Sequence, residues 1–244
     1  MGSKYDISEK NLNSIIDVMN AGKERYAVDE MLSDGFFTNA FKKYPLNNEA
    51  EIVAMKMSLV DTTNSTNLGR LLGNKEYMSR GKLVKREVFA FSELINKILS
   101  MKDFDERVKN GDPSLVSELT KWGAERGANM MSFFSKYCLY HNYHAYGRDD
   151  YSIFDSIVRE NLGRYITEEE YEMIFGMKLR KSKLEKTQAL ANAVNNRLLN
   201  MKDQCNYEGF LNVMNKILEL RGINEKNVPK MRRKLDLLVW YSNR

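Results

Sequence analysis

The chain is short of cysteine and proline, and both shortages limit what the protein can be. Its 244 residues include three prolines and two cysteines, Cys138 and Cys205. Two cysteines cannot build a disulfide framework, and they are too few for a zinc site or an iron–sulfur cluster with four cysteine ligands. We therefore expect the protein to fold and act without such crosslinks or clusters.

Long apolar runs are also missing from the sequence. No window approaches the roughly 18 consecutive apolar residues that a membrane-spanning helix needs. Residues 1–17 lack the apolar core of a secretory signal peptide. We therefore expect a soluble, cytoplasmic protein that has no membrane partner.

The composition is that of a globular protein with a basic carboxy-terminal quarter. Hydrophobic residues make up 43% and charged residues 29% of the chain, and the formal net charge is +5. A chain of this length buries about 70–75% of its unfolded surface, as one domain or as two packed lobes. Residues 182–244 hold twelve basic and six acidic residues. This asymmetry suggests a polyanionic partner.

Helical periodicity predicts the fold class. Apolar residues recur at spacings of three and four, and no segment shows the sustained apolar–polar alternation of a half-buried strand. Local patterns predict three helix starts: Asp112-Pro113, the capping box from Thr167 to Glu170, and Asn227-Val228-Pro229. The sequence therefore predicts an all-α protein of about nine to twelve helices.

Residues 127–164 carry the most specific chemical pattern. An apolar helical run around Phe133 and Phe134 contains Lys136, and Asp155 opens a second helix 19 residues later. An amine nucleophile must be neutral, and burial among apolar side chains disfavours the charged form. An aspartate at a helix N-terminus is favoured as the anion and can stabilise a cation that develops nearby.

This segment resembles the active-site segment of the helix-hairpin-helix DNA glycosylases, in particular the 8-oxoguanine glycosylase branch. That family has a catalytic lysine at the start of the helix after a hairpin. Its catalytic aspartate begins another helix about 18 or 19 residues later. Ser135-Lys136 matches the first position, and Phe154-Asp155-Ser156-Ile157-Val158 matches the second.

A second similarity lies upstream, from Ser58 to Leu71. The run S-L-V-D-T-T-N-S-T-N-L-G-R-L resembles the helix-and-turn run of the family, with one extra residue in the turn. In the family, an asparagine of this run enters the duplex where the flipped nucleotide has left. Asn64 matches it best, and Asn67 matches in another register. The alternative is that both asparagines cap helices or turns.

The resemblance covers roughly residues 48–165 and departs from the family at the hairpin. The family usually has Leu-Pro-Gly-x-Gly before the lysine, whereas this chain has Met131-Ser132-Phe133-Phe134-Ser135. The implied architecture is a single glycosylase-like unit over residues 1–244 with a degenerate hairpin. It would form two packed helical lobes, residues 48–130 and residues 1–47 plus 131–244, with the active site in the cleft between them.

The implied activity is base excision with associated abasic-site lyase chemistry. Lys136 would attack the sugar C1′ of a flipped nucleotide, and Asp155 would support this attack. The nearest family implies 8-oxoguanine as the excised base, in double-stranded DNA, without a cofactor or metal. Alternatives are another modified base, including one in foreign DNA, a non-catalytic helical DNA-binding protein, and a helical interaction protein with no nucleic-acid role.

Candidate DNA contacts extend from both similarities and from the basic residues. They are Asn64, Asn67, Arg70, Ser132, Ser135, His141, Arg159, Lys181 and Lys183. The basic run Arg232-Arg233-Lys234 also suits phosphate contact. Solvated helix faces are the alternative explanation for the basic residues. We expect a monomer that associates with the nucleoid.

Four polar residues near Lys136 also suit a metal site: His141, His144, Asp149 and Asp150. A polar loop that faces solvent or DNA, or that holds the Lys136 helix, is the favoured interpretation. For the two tryptophans, Trp122 and Trp240, helical spacing favours packing in the core over stacking on a base.

Overall fold

The structure is a computed structural model that describes most of the chain. It covers residues 5–21, 35–64, 68, 75–79, 82–86, 90–180 and 182–241, and leaves out the side chains of residues 20, 21, 64, 75–79 and 82–86. Asn67, Arg70 and Lys181 lie outside these ranges, and so does the side chain of Asn64.

The predicted all-α fold is confirmed. Twelve α-helices occur in the described ranges, with one 3₁₀ turn at Leu162–Tyr165. None of these helices is both long enough and apolar enough to cross a bilayer. The helices are α1 (Glu9–Ala21), α2 (35–43), α3 (Ala50–Asn64), α4 (Phe91–Ser100), α5 (Phe104–Asn110), α6 (Ser114–Glu125), α7 (Met131–Tyr146), α8 (Ser156–Asn161), α9 (Glu168–Phe175), α10 (Lys186–Asp203), α11 (Tyr207–Leu220) and α12 (Met231–Tyr241).

One small β-hairpin interrupts the helical order between α3 and α4. Strands β1 (Lys75–Ser79) and β2 (Lys82–Arg86) pair antiparallel, with Lys75 opposite Arg86 and Ser79 opposite Lys82. Each strand has five residues, which is too short for an alternation to stand out in the sequence. The hairpin is therefore an element that the periodicity analysis missed.

Two of the predicted helix starts are confirmed. Thr167 accepts a hydrogen bond from the backbone N–H of Glu170, and the Glu170 side chain accepts one from the backbone N–H of Thr167. Helix α6 begins directly after Pro113, and an Asp112 carboxylate oxygen accepts from the backbone N–H of Ser114. Local capping chemistry explains both starts.

The third predicted start, at Asn227-Val228-Pro229, is wrong. Helix α12 begins at Met231, and Asp149 supplies the acceptors for its first turn. The two Asp149 carboxylate oxygens accept from the backbone N–H groups of Arg232 and Arg233, at 2.8 and 3.0 Å. The cap therefore comes from a loop some eighty positions away, which no local pattern could indicate.

Helix α7 lies at the centre of the packing. It contacts α3, α5 and α6, and eleven of its residues are buried. Helix α1 packs against α12, and α10 packs against α8 and the 3₁₀ turn. Gly163 permits the last of these contacts, because a Cβ atom there would lie 2.5 Å from the backbone oxygen of Leu190. The division into two lobes stays a prediction.

Candidate active site

Lys136 lies on the buried face of α7. Its apolar neighbours in the sequence are buried, as the apolar run predicts: Phe133, Phe134 and Tyr137. Its position differs from the family pattern, because α7 begins at Met131 and Lys136 therefore lies in the second turn. The residues expected to form a degenerate hairpin, 131–135, are already helical.

The turn that precedes α7 lies further upstream than the hairpin that the resemblance predicts. It comprises residues 126–130 and contains Gly127, whose φ of 84° lies in the left-handed region that glycine favours. The side-chain oxygen of Asn129 then accepts from the backbone N–H of Met131. A helix–turn–helix is present here, but the lysine does not stand at the start of its second helix.

Asp155 is the N-cap of α8, as the sequence predicts. Its backbone is extended, and its Oδ1 atom accepts from the backbone N–H of Val158 at 3.0 Å. This hydrogen bond leaves the second carboxylate oxygen, Oδ2, directed away from the helix end. The capping interaction fixes the carboxylate and places negative charge at the positive end of the helix.

The structure brings Lys136 and Asp155 together. The Nζ atom of Lys136 lies 3.1 Å from Oδ2 of Asp155, and only 5% and 8% of the two side chains are exposed. The 19-residue spacing thus corresponds to direct contact between the two groups. A buried ion pair loses hydration, and removing one partner leaves an uncompensated charge in the interior.

The chain that leads into Asp155 is held by buried side chains. We call residues 149–155 the anchored segment. The Tyr207 hydroxyl donates to the backbone oxygen of Ser152 at 2.7 Å and accepts from the backbone N–H of Ser152 at 2.9 Å. The Tyr151 hydroxyl donates to the backbone oxygen of Asp112. These contacts join the anchored segment to α11 and to the start of α6.

Two further side chains hold the last residues before Asp155. Oδ2 of Asp236 accepts from the backbone N–H of Ile153 at 2.9 Å, and Oγ of Ser135 accepts from the backbone N–H of Phe154 at 3.0 Å. Ser135 also donates to the backbone oxygen of Ser132. The position of Asp155 is therefore determined by α7 and α12 together.

Asp236 contributes a second buried carboxylate to this region. It is 1% exposed, and its Oδ1 atom has no hydrogen-bond partner among the described residues. Burial raises the pKa of Asp236 well above its ordinary value. The Ile153 N–H and Arg233 act in the opposite direction, and the nearby Asp149 and Asp155 carboxylates add to the rise. The uncharged form of Asp236 is thus favoured beside the ion pair.

A second buried amine, Lys56, belongs to a separate polar network. Its Nζ atom donates to the backbone oxygen of Leu46 and to the side-chain oxygen of Asn47. Burial lowers the pKa of Lys56 to about 8, against the attraction of the Asp105 carboxylate. Lys56 is fully buried, so its amine is closed to solvent in this conformation.

His141 completes this network and is fully buried, and its predicted role as a DNA contact stays a prediction. Burial, followed by the charge of Lys56, lowers its pKa to about 3, whereas the hydrogen bond to the backbone oxygen of Pro45 opposes the shift. The neutral ring donates from Nε2 to Pro45 and accepts at Nδ1 from Asn47. We name Asn47, Lys56, Asp105, Tyr137 and His141 the Asn47 network.

Ser135 and Arg159 are also turned inward, and their predicted role as DNA contacts stays a prediction. Ser135 is fully buried, and its hydroxyl serves Phe154 and Ser132. The guanidinium of Arg159 donates to Asn195 and pairs with Glu160, and 15% of its side chain is exposed. In this conformation these groups join α7, α8 and α10.

The remaining predicted contacts are less constrained. Ser132 is half-buried in the first turn of α7, and Lys183 is exposed before α10. Asn64 is the last residue of α3. The Asp61 carboxylate accepts from the backbone N–H of Leu68. The role of these residues in DNA binding stays a prediction.

The four residues considered for a metal site serve other partners. His144 contacts Thr38, and Asp150 pairs with Arg148. Asp149 caps α12, and His141 lies in the Asn47 network. Within the described ranges, no group of three or more histidine, cysteine, aspartate or glutamate side chains could hold a metal ion.

Sequence reasoning missed Lys56 and Asp236. Each is a charged residue inside an apolar run, in Met55-Lys56-Met57 and Leu235-Asp236-Leu237. Such a residue points inward when the helix is buried on most sides, and a buried charge must be paired or neutralised. An isolated charge in an apolar run was therefore the signal that could have identified both.

Comparison with known proteins adds a family but no activity. A family model named HI_0787_N, an N-terminal domain, matches residues 11–145, which include Lys136 and end before Asp155. An uncharacterized protein of Haemophilus influenzae is 40% identical over 78 residues, which are 31% of this chain and 35% of that protein. No solved structure matches the chain. Because the family model covers more than half of its residues, the chain belongs to the HI_0787_N family.

Proposed function

We propose that the protein is a DNA glycosylase with abasic-site lyase activity, in which Lys136 is the nucleophile and Asp155 its partner. One observation carries the proposal: Nζ of Lys136 lies 3.1 Å from Oδ2 of Asp155 at the N-terminus of α8. The resemblance predicts such a pair from the 19-residue spacing of Lys136 and Asp155 in the sequence. A buried amine beside a fixed carboxylate is suited to nucleophilic attack.

The first half of the reaction releases the base. The target nucleotide must leave the base stack, at a cost of a few kcal/mol. Oδ2 of Asp155 takes a proton from the ammonium group, and the neutral Nζ attacks C1′ as the bond from C1′ to the base breaks. The base leaves with the bonding electron pair. Asp155 passes its proton to the departing base, and the carboxylate that this restores stabilises the positive charge on the sugar adduct.

The second half cuts the strand. The bond between lysine and C1′ becomes a Schiff base as the sugar ring opens. Loss of a C2′ proton then eliminates the 3′ phosphate. We take duplex DNA with an oxidised or otherwise modified base as the substrate, with 8-oxoguanine the first to test. The protein would act as a monomer, without a cofactor, on DNA in the cytoplasm and at the nucleoid.

A second function is favoured by the burial of the pair. With 5% and 8% of the two side chains exposed, a flipped nucleotide reaches Nζ only if neighbouring groups move. The lysine also lies in the second turn of α7 rather than at its start. Both observations suit a helical DNA-binding protein in which Lys136 and Asp155 form a structural ion pair.

Borohydride trapping separates the two functions. The protein is incubated with duplexes that carry an abasic site or 8-oxoguanine, and borohydride then reduces any Schiff base to a stable adduct. We expect an adduct that is lost in Lys136→Gln and kept in Lys109→Gln, which changes an exposed lysine of α5. Lys56→Gln tests whether the other buried amine is the nucleophile. Absence of an adduct on every duplex would favour the non-catalytic function.

Asp155→Asn tests the carboxylate while it preserves the helix cap. Asparagine caps helices as well as aspartate does, so α8 should still begin at Ser156. The amide cannot take a proton, and we expect base release to slow by about 10²–10⁴-fold with DNA binding unchanged. Circular dichroism of each variant shows whether a lost activity reflects a lost fold. Base release at the wild-type rate in Asp155→Asn contradicts the mechanism.

A further inference from the structure

A polar groove lies on the outer face of α10. It has a volume of about 640 Å³ and is bounded by α9, by residues 177–180, 182 and 184, and by one side of α10. Its polar lining includes Lys178, Arg180 and Arg197, together with Asn192, Asn196 and Asn200. We call it the α10 groove. Its volume is in the range of ligand sites in proteins.

The three asparagines form a ladder along the groove. They stand four residues apart, all three are exposed, and each lines the groove. At 1.5 Å per residue, the ladder extends about 12 Å along α10. Each amide carries donors and an acceptor, the combination that reads the edges of nucleobases. Oδ1 of Asn192 already accepts from Gln188 at 2.9 Å and keeps one further lone pair.

The charge of the groove has one sign. Lys178, Arg180 and Arg197 supply three cations, and none of the described lining residues is acidic. Arg197 donates one N–H to the sulfur of Met177, and a guanidinium has four more. Because no carboxylate among the described lining residues neutralises these three cations, the groove favours an anionic ligand.

The α10 groove is separate from the Lys136–Asp155 pair. Ala191, Val194 and Leu198 form the buried face of α10, and Asn195 faces Arg159 of α8. The asparagine ladder lies on the opposite side of α10 from these residues. The groove therefore does not belong to the candidate active site.

We propose that the α10 groove binds a single strand of nucleic acid. The three cations hold successive phosphates, and the ladder contacts base edges, which a single strand exposes. The ladder length of about 12 Å corresponds to three or four nucleotides at 3.4 Å per step. Asparagine pairs best with the N6 and N7 atoms of adenine, so adenine-containing strands should bind most tightly.

Fluorescence anisotropy with labelled twelve-nucleotide strands tests this proposal. We expect oligo(dA) to bind more tightly than oligo(dC), and both to weaken with added salt. Lys178→Glu with Arg180→Glu should weaken binding at least tenfold and should reduce the slope of log affinity against log salt by about 1.4. Asn192→Ala with Asn196→Ala should remove the preference for oligo(dA).

The matched control, Lys42→Glu with Lys109→Glu, reverses the charge of two exposed lysines elsewhere. It should change the affinity for the strand by less than twofold. An equal loss in this control, binding of duplex alone, or no binding at about 50 mM salt overturns the proposal. So does equally tight binding of adenosine monophosphate. Strand binding and borohydride trapping are measured on the same wild-type preparation, so an adduct without strand binding, or strand binding without an adduct, shows which of the two proposals fails.

Discussion

At the scale of single residues, burial decides the charge of several titratable side chains. His141 is held neutral inside the Asn47 network, between the backbone oxygen of Pro45 and the amide of Asn47. Asp236 is buried with one carboxylate oxygen unpartnered among the described residues. Since burial lowers the pKa of a histidine and raises that of an aspartate, the two residues should make stability depend on pH in opposite directions.

His141 should make the protein lose stability in acid. The unfolded chain takes up the histidine proton near pH 6.5, whereas the folded protein resists it until about pH 3. The free energy of unfolding should therefore fall by up to about 1.4 kcal/mol per pH unit below pH 6.5. Urea denaturation at several pH values measures this slope. His141→Gln should reduce this slope, and an unchanged slope in that variant contradicts the assignment.

Asp236 should make the protein lose stability as pH rises. Its folded pKa lies above its unfolded value, so its contribution is complete in acid and declines above about pH 4. Asp236→Asn keeps an acceptor for the N–H of Ile153 and removes the titration. We expect this variant to be more stable than wild type at pH 8, with a difference that shrinks towards pH 4. Asp236→Ala should be less stable than wild type throughout, because it leaves the N–H of Ile153 without its acceptor.

At the scale of helices and strands, local signals and long-range contacts explain which predictions were confirmed. The starts at Thr167 and Asp155 were predictable because a side chain caps its own helix within three residues. The start of α12 and the hairpin were not, because a distant loop caps the first and strand pairing forms the second. The contact between Lys136 and Asp155 could be predicted from their spacing in the sequence. The position of Asp236 beside this pair could not, because it depends on how the helices pack.

The cap of α12 allows a test of whether a long-range contact or the local sequence determines where this helix begins. Asp149→Ala removes the acceptor for two backbone N–H groups in the first turn of α12. We expect a loss of about 1–3 kcal/mol in the free energy of unfolding, measured by urea denaturation. Asn227→Ala, at the position that the sequence suggests as the cap, should cost less. A larger loss in Asn227→Ala than in Asp149→Ala would mean that the local signal governs the helix after all.

At the scale of the whole molecule, the basic carboxy-terminal quarter is not one basic surface. Arg232 donates to Asn215 and to the backbone oxygen of Asp149, Arg233 is buried, and Arg221 pairs with Glu170. Part of the positive excess therefore holds the fold together. Lys186 is exposed but pairs with Glu168 at 3.0 Å, whereas Lys183 is exposed near the α10 groove and can attract a polyanion from solution.

The two tryptophans can report whether the predicted lobes unfold together. Trp122 lies in α6, within residues 48–130, and the buried Trp240 lies in α12, within the second lobe. Helix α7 belongs to the second lobe but packs on α3, α5 and α6 of the first. Because this buried contact joins the two, unfolding one lobe would expose apolar surface of the other.

We therefore expect a single cooperative transition. Trp122→Phe and Trp240→Phe leave one tryptophan each, so the fluorescence of each variant reports one lobe, and circular dichroism of the same samples reports all helices. Within each variant, fluorescence and circular dichroism should give the same urea midpoint, because two-state unfolding requires probes to coincide. Midpoints that differ between the two signals would show that α7 does not couple the lobes. The candidate site, which is built from α7 and the start of α8 and is held by Asp236 of α12, would then unfold independently of the α3 region.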